Sequence, residues 1–176
     1  METIKLLIEM TKEPLLAVLV AIVLIPSFIV SNTRVPTESM VPAIYPKDHL
    51  IVSRLPYYYR DPLYGEVIVF KYGKDYLIKR VIAGPGDTIN IVENEVYLND
   101  QLLDESSYLP EEMKTYLYTS SKIEFPYTVP ENSYFVMGDN RLNSKDSRAF
   151  GTVHRSNIIA KAEYRIWPIK NIGPIK

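Results

Sequence analysis

"GEVIVFKYGKDYLIKRVIAGPGD", Gly65 to Asp87, decides the fold. Its apolar and β-branched residues come in short runs cut by glycine, which predicts a strand near Val67 to Tyr72, a turn through Gly73, Lys74 and Asp75, and a second strand near Tyr76 to Ile82. Working outward, "TINIVENEVYLND" (Thr88 to Asp100) offers a second hairpin with its bend at Glu93 and Asn94. Ser133 to Met137 and Ile158 to Trp167 are further strands, their valine, isoleucine and aromatic content fitting a sheet better than a helix. The connections are too short for repeated crossover helices, so the sheets are expected to be antiparallel. "QLLDESSYLPEEMKTYLYTSSK", from Gln101, breaks this rhythm and predicts a small helical or hairpin insertion over 101–125.

The chain has 176 residues, enough for one modest domain with a core that needs no disulfide staples. Twenty lysines and arginines against 21 acidic residues give a net charge of -1, and this balance gives no reason to expect a nucleic-acid partner. There is no cysteine, which removes thiol catalysis and cysteine-ligated metal. His49 and His154 lie far apart with no neighbouring histidine at a metal-site spacing, so both read as structural or solvent-facing, and no metal or other cofactor is implied.

Pro14 to Val30, "PLLAVLVAIVLIPSFIV", carries no charge and only Ser27 as a polar side chain. At 17 residues it is at the short end of a spanning helix and reaches roughly 26 Å. A buried core helix is the alternative, but it would be unusually unbroken in its apolarity. A cleaved leader fits less well, because the segment runs into "SFIVSNTRVP" without an Ala-x-Ala exit. The reading is a head at 1–13, a transmembrane anchor at 14–31 and a domain at 32–176 containing the insertion. The head carries Lys5 and Lys12 but also Glu2, Glu9 and Glu13, while Arg34 follows the span, so lysine and arginine counts favour an inside head only weakly.

Two residues suggest chemistry. Lys79 falls inside the predicted strand, on the face of Leu77 and Val81, with Ile78, Arg80 and Ile82 on the other. If the Leu77 face is buried, the ammonium loses hydration, its pKa falls, and the neutral amine can accept a proton. The alternative is a lysine reaching solvent from a sheet edge. Ser39, in "RVPTESMVPAI" (Arg34 to Ile44), reads either as a turn or helix-cap residue or as a nucleophile awaiting a base.

Three blocks in order, "VPTESMVPAI", "YLIKRVIAGPGD" and "GDNRLNSKDSRAFG", resemble the motifs of type I signal peptidases, membrane-bound serine proteases of the Ser-Lys class. The resemblance implies that Ser39 is the nucleophile and Lys79 its general base. It implies that the Thr37 hydroxyl joins the Ser39 N–H at an oxyanion, and that Met40 helps form the substrate pocket. Ser144 would orient the lysine, Asp146 with Arg148 would form a paired support, and Asp139 with Asn140 would shape a turn; apart from the resemblance, Arg80 beside Lys79 could supply a fixed ion pair. Val35, Ile44 and Leu77 would join Met40 as pocket walls, or serve only as core. Glu38, Ala43 and Glu66 depart from residues common at those positions in the family.

The fold then expected is mainly β: an N-terminal transmembrane helix followed by an antiparallel β-sheet catalytic domain with a small insertion. The implied partners are exported preproteins with signal peptides, cut after small residues such as Ala-x-Ala, together with membrane lipid and a location near the protein translocation machinery. The implied place is the cell membrane, single-pass, with the catalytic domain on the extracytoplasmic side. Two alternatives compete: a Ser-Lys protease that cleaves itself or a regulatory protein, as repressor-type peptidases do, and an anchored peptide-binding protein without turnover.

Overall fold

The computed structural model describes residues 30–118, 121 and 123–175, together with Pro14 and Val18. The chain divides into two units, 1–31 and 32–176. The stretch expected to cross a membrane lies almost wholly outside the described residues; among those described, no helix is long and apolar enough to do so.

The strands are β1 (Val30–Arg34), β2 (His49–Ser53), β3 (Val67–Tyr72), β4 (Asp75–Ala83), β5 (Thr88–Val92), β6 (Glu95–Leu98), β7 (Gln101–Leu102), β8 (Tyr127–Thr128), β9 (Ser133–Met137), β10 (Val153–His154), β11 (Ile158–Trp167) and β12 (Gly173–Pro174). Two short helices, α1 (Pro56–Tyr59) and α2 (Ser147–Phe150), follow β2 and precede β10. The larger sheet runs β1-β2-β11-β3-β4-β9-β10, with β12 added to β11, and the smaller runs β7-β6-β5-β8. The pairings from β2 to β10, and those of the smaller sheet, are antiparallel, as the short connections require.

Local chemistry sets the hairpins. β3 and β4 pair from Val67 opposite Arg80 to Tyr72 opposite Asp75, leaving Gly73 and Lys74 as the turn. Glu93 and Asn94 both have positive φ, 51° and 67°, between Val92 and Glu95, so the predicted bend is a two-residue turn whose twist matches its strands. A second such turn at Asn99 and Asp100, φ 52° and 64°, adds β7. The segment 101–125 contributes β7 and then, among its described residues, neither a helix nor a hairpin of its own. Its chain instead folds back in turns that bury Leu109 and Thr115.

The core has three parts. Val35, Met40, Ile44, Leu50, Val52, Val67, Ala160 and Ala162 form one cluster. Ile68, Phe70, Val81, Val136 and Ile158 belong to a second. Ile82, Ile89, Val96, Phe135 and Met137 belong to a third, joining β4 and β9 to the smaller sheet. Leu77 and Val81 pack in the second cluster, Ile78 against the first and Ile82 in the third. β4 is therefore covered on both faces, and from Lys79 to Ala83 every residue is buried. The strand brings two cations, Lys79 and Arg80, into that interior.

Candidate active site

Ser39 sits in a tight turn after β1. Met40 and Ile44 anchor it in the first core cluster, the Ile44 N–H donates to the Met40 carbonyl at 2.8 Å, and the Val41 N–H donates to the Glu38 carbonyl at 3.1 Å. Ser39 is thus half-buried at the edge of a fixed turn while Met40 is 1% exposed. Its hydroxyl meets Lys79 from the middle of β4: Nζ donates to Ser39 Oγ at 2.6 Å and to the Ile78 carbonyl at 2.9 Å. Thr37 Oγ1 lies 3.2 Å from the same Oγ.

Lys79 is 3% exposed, and among the described residues no ion pair joins it to a carboxylate. Burial pushes its ammonium down from 10.5 to about 8; Asp146 and Asp139 act against that shift and Arg148 adds to it. The two carboxylates compensate it only in part because each is committed elsewhere. Asp139 takes Arg80 Nε at 2.8 Å and Nη2 at 2.6 Å. Asp146 takes Arg148 Nε at 2.9 Å and Nη2 at 2.7 Å, accepts the Gly138 N–H at 3.0 Å, and caps α2 through the Arg148 N–H. These bidentate pairs fix the loop from Gly138 to Arg148.

That loop presses on the serine. Asn140 donates its backbone N–H to the Ser39 carbonyl at 3.1 Å and its amide to the Glu38 carbonyl at 3.2 Å. Gly138 is there because nothing larger fits: a Cβ on it would lie 2.1 Å from Ser144 Oγ and 2.4 Å from the Ser39 carbonyl oxygen. Ser144, for which the family resemblance implies a part in orienting the lysine, is 4% exposed, and its hydroxyl has no hydrogen-bond partner among the described residues. Lys79 bonds Ser39 and Ile78 instead. Of the four expected pocket walls, Val35, Met40 and Ile44 share one cluster, whereas Leu77 packs in another, because Leu77 and the neighbouring Ile78 point to opposite faces of β4. His154 lies away from this group and caps a 3-10 turn, accepting the Ser156 N–H at 3.2 Å.

Sequence reasoning missed the outer supports. Arg141 is 1% exposed and held by Glu105 and Thr115. Tyr108 lays its ring 4.1 Å from the Arg80 guanidinium. Tyr118 lays its ring 4.9 Å from that of Arg148 and donates its hydroxyl to the Ser144 carbonyl. All these partners come from 101–125, where no local pattern signals the contact; only the unassigned Arg141 inside "GDNRLNSKDSR" hinted that a further anion must arrive from elsewhere.

A serine hydroxyl touching a buried, easily neutralised lysine has the geometry for acyl transfer by a serine nucleophile without histidine. Comparison with known proteins gives the family. A family model described as "Signal peptidase, peptidase S26" matches residues 7–167. The chain is 35% identical over 175 residues to the "Probable signal peptidase I-2" of Synechocystis, covering 94% of this chain and 76% of that protein. It is 36% identical over 154 residues to the signal peptidase I of Bacillus caldolyticus, covering 83% and 84% respectively. A crystal structure of a signal peptidase I from Enterococcus faecalis shares 30% identity and aligns with a TM-score of 0.47 over 58% of this chain and 97% of that one. The chain belongs to the signal peptidase, peptidase S26, family. It is a serine endopeptidase of the signal peptidase class.

Proposed function

We propose that Ser39 and Lys79 form the catalytic dyad of a membrane-anchored peptidase that removes signal peptides from exported preproteins. The observation that carries this reading is the 2.6 Å contact between Lys79 Nζ and Ser39 Oγ, with the lysine 3% exposed. Neutral Lys79 takes the Ser39 proton as Oγ attacks the scissile carbonyl. The Ser39 N–H and the Thr37 hydroxyl stabilise the oxyanion. The tetrahedral adduct collapses to an acyl-enzyme as Lys79 gives the proton to the departing amine. Lys79 then takes a proton from water, which attacks the ester, and Ser39 is restored with release of the carboxylic acid.

The two ion pairs, Arg80 with Asp139 and Arg148 with Asp146, support the site without reacting, and the Ser144 hydroxyl lies in the same loop. Residues 1–13 form a head, 14–31 a single membrane span and 32–176 the peptidase domain on the extracytoplasmic side, close to the translocation machinery. Val35, Met40 and Ile44 shape a small apolar subsite on the Ser39 side, which suits cleavage after Ala-x-Ala; Leu77, on the other core cluster, contributes less. The anchor keeps enzyme and substrate at one lipid surface and so raises their effective concentration.

The experiment is cleavage of a preprotein bearing an Ala-x-Ala exit by the purified full-length protein in detergent, with Ser39→Ala and Lys79→Met variants checked for folding. Cleavage at that exit by wild type, lost in both folded variants, supports the reading. Undiminished cleavage by either variant contradicts the dyad, and peptide binding without turnover by wild type would make the chain a binding protein.

A further inference from the structure

The segment between β7 and β8 reaches all three buried arginines around the site. Tyr108 faces Arg80, Glu105 and Thr115 hold Arg141, and Arg148 donates to the Tyr116 carbonyl at 3.0 Å. Tyr118 makes the contact that leads inward. Its hydroxyl accepts from Arg148 Nη2 at 3.4 Å and donates to the carbonyl of Ser144. Ser144 in turn rests its hydroxyl against Gly138, in the narrow space that Gly138 shares with the Ser39 carbonyl oxygen. The Tyr118 bond ties the main chain of the loop at Ser144, beside that narrow space.

We propose that Tyr118 is a positioning residue for the Ser39–Lys79 pair, holding the Gly138–Arg148 loop against Ser39 through the Ser144 carbonyl. The role rests on the dyad reading and goes beyond it, since Tyr118 touches neither dyad residue. It is separable from stability. Removing only the hydroxyl leaves the ring over Arg148, and leaves Arg148 with Asp146, the Arg141 carbonyl and the Tyr116 carbonyl. The loop keeps its charges and loses the two hydrogen bonds of that hydroxyl, to the Ser144 carbonyl and from Arg148 Nη2. The position of Ser39 suffers, because the loop holds it through the Asn140 N–H, which donates to the Ser39 carbonyl at 3.1 Å.

The test compares full-length wild type, Tyr118→Phe and Tyr118→Leu in detergent, using the Ala-x-Ala preprotein, thermal melts and amide hydrogen exchange of the 138–148 peptide. For Tyr118→Phe, kcat should fall about tenfold while KM and Tm stay close to wild type, as expected for misplacement rather than lost binding. Exchange over 138–148 should quicken. Tyr118→Leu should lose both activity and Tm. A Tyr118→Phe enzyme with wild-type kcat and wild-type exchange, whatever Tyr118→Leu does, would reduce Tyr118 to a stacking residue and overturn the proposal. A fall in kcat matched by a fall in folded fraction would overturn it equally. If wild type shows no Ser39-dependent turnover, the dyad reading fails, and the exchange comparison alone still decides whether Tyr118 holds the loop.

Discussion

Replacing Asp139 with asparagine keeps the shape of the side chain and deletes one buried charge. Asp139 and Arg80 are each 1% exposed and meet through two hydrogen bonds, at 2.8 and 2.6 Å. Breaking a buried pair by removing one partner costs about 3–5 kcal/mol, because the surviving ion keeps its desolvation penalty and loses its compensation. Here the guanidinium retains the Gly65 carbonyl at 2.8 Å and the face of Tyr108, which places the expected loss at the lower end, about 3 kcal/mol. For a domain of this size that is a fall in Tm of roughly 6–12 °C. The assay is thermal unfolding by circular dichroism at one fixed scan rate, since an irreversible transition makes Tm depend on the rate. The double variant Arg80→Met/Asp139→Leu removes both charges and should recover more than half of the loss. A Tm for Asp139→Asn within about 1 °C of wild type, or a double variant no more stable than the single, would refute the reasoning that this pair is a matched burial of two charges.

Three further outcomes follow from the geometry. As the proposed general base Lys79 must be neutral to act, so kcat/KM should rise with pH through about 8 rather than near 10.5, giving a neutral fraction at pH 8 of about one half instead of about 0.3%; a limb near 10 in the pH–rate profile would contradict the burial argument. Gly138→Ala places a methyl 2.1 Å from Ser144 Oγ and 2.4 Å from the Ser39 carbonyl, so it should destabilise by about 1–3 kcal/mol and cut kcat about a hundredfold; paired melts and kinetics check both. Burial would raise the Glu66 carboxyl, but hydrogen bonds from Arg60, the Leu63 N–H and Lys161 outweigh it and hold the group at about 2 instead of 4.5. Its contribution to stability is therefore present above pH 4.5 and lost as pH falls toward 2, and denaturant midpoints of Glu66→Gln should be flatter than wild type across that range.

What the sequence revealed was local. The β3–β4 hairpin was legible because Gly73 interrupts two runs of strand-forming residues, and the β5–β6 turn because Glu93 and Asn94 follow an alternating run. The β6–β7 turn at Asn99 and Asp100 carried equally good turn residues, but the strand after it has only two residues and no pattern of its own. Alternation placed Leu77 and Val81 together and left Arg80 on a face whose burial could not be known. That face is covered by residues such as Asp139 and Tyr108, which lie far along the chain. Ser39 and Lys79 were recognisable by residue type and resemblance, whereas their 2.6 Å contact spans 40 residues. The supports from Glu105, Tyr108, Thr115 and Tyr118 lay beyond reach for the same reason: a side chain in an irregular segment announces its partner through no period.

Trapping the covalent intermediate tests the proposed Ser39–Lys79 dyad. Full-length protein would be mixed with an Ala-x-Ala preprotein, quenched in acid within the first turnover and mapped by mass spectrometry. The account predicts an acyl group on the peptide containing Ser39 in wild type and none in Lys79→Met, whose serine lacks its base. An adduct on another residue, or full cleavage by a Ser39→Ala enzyme, would contradict it.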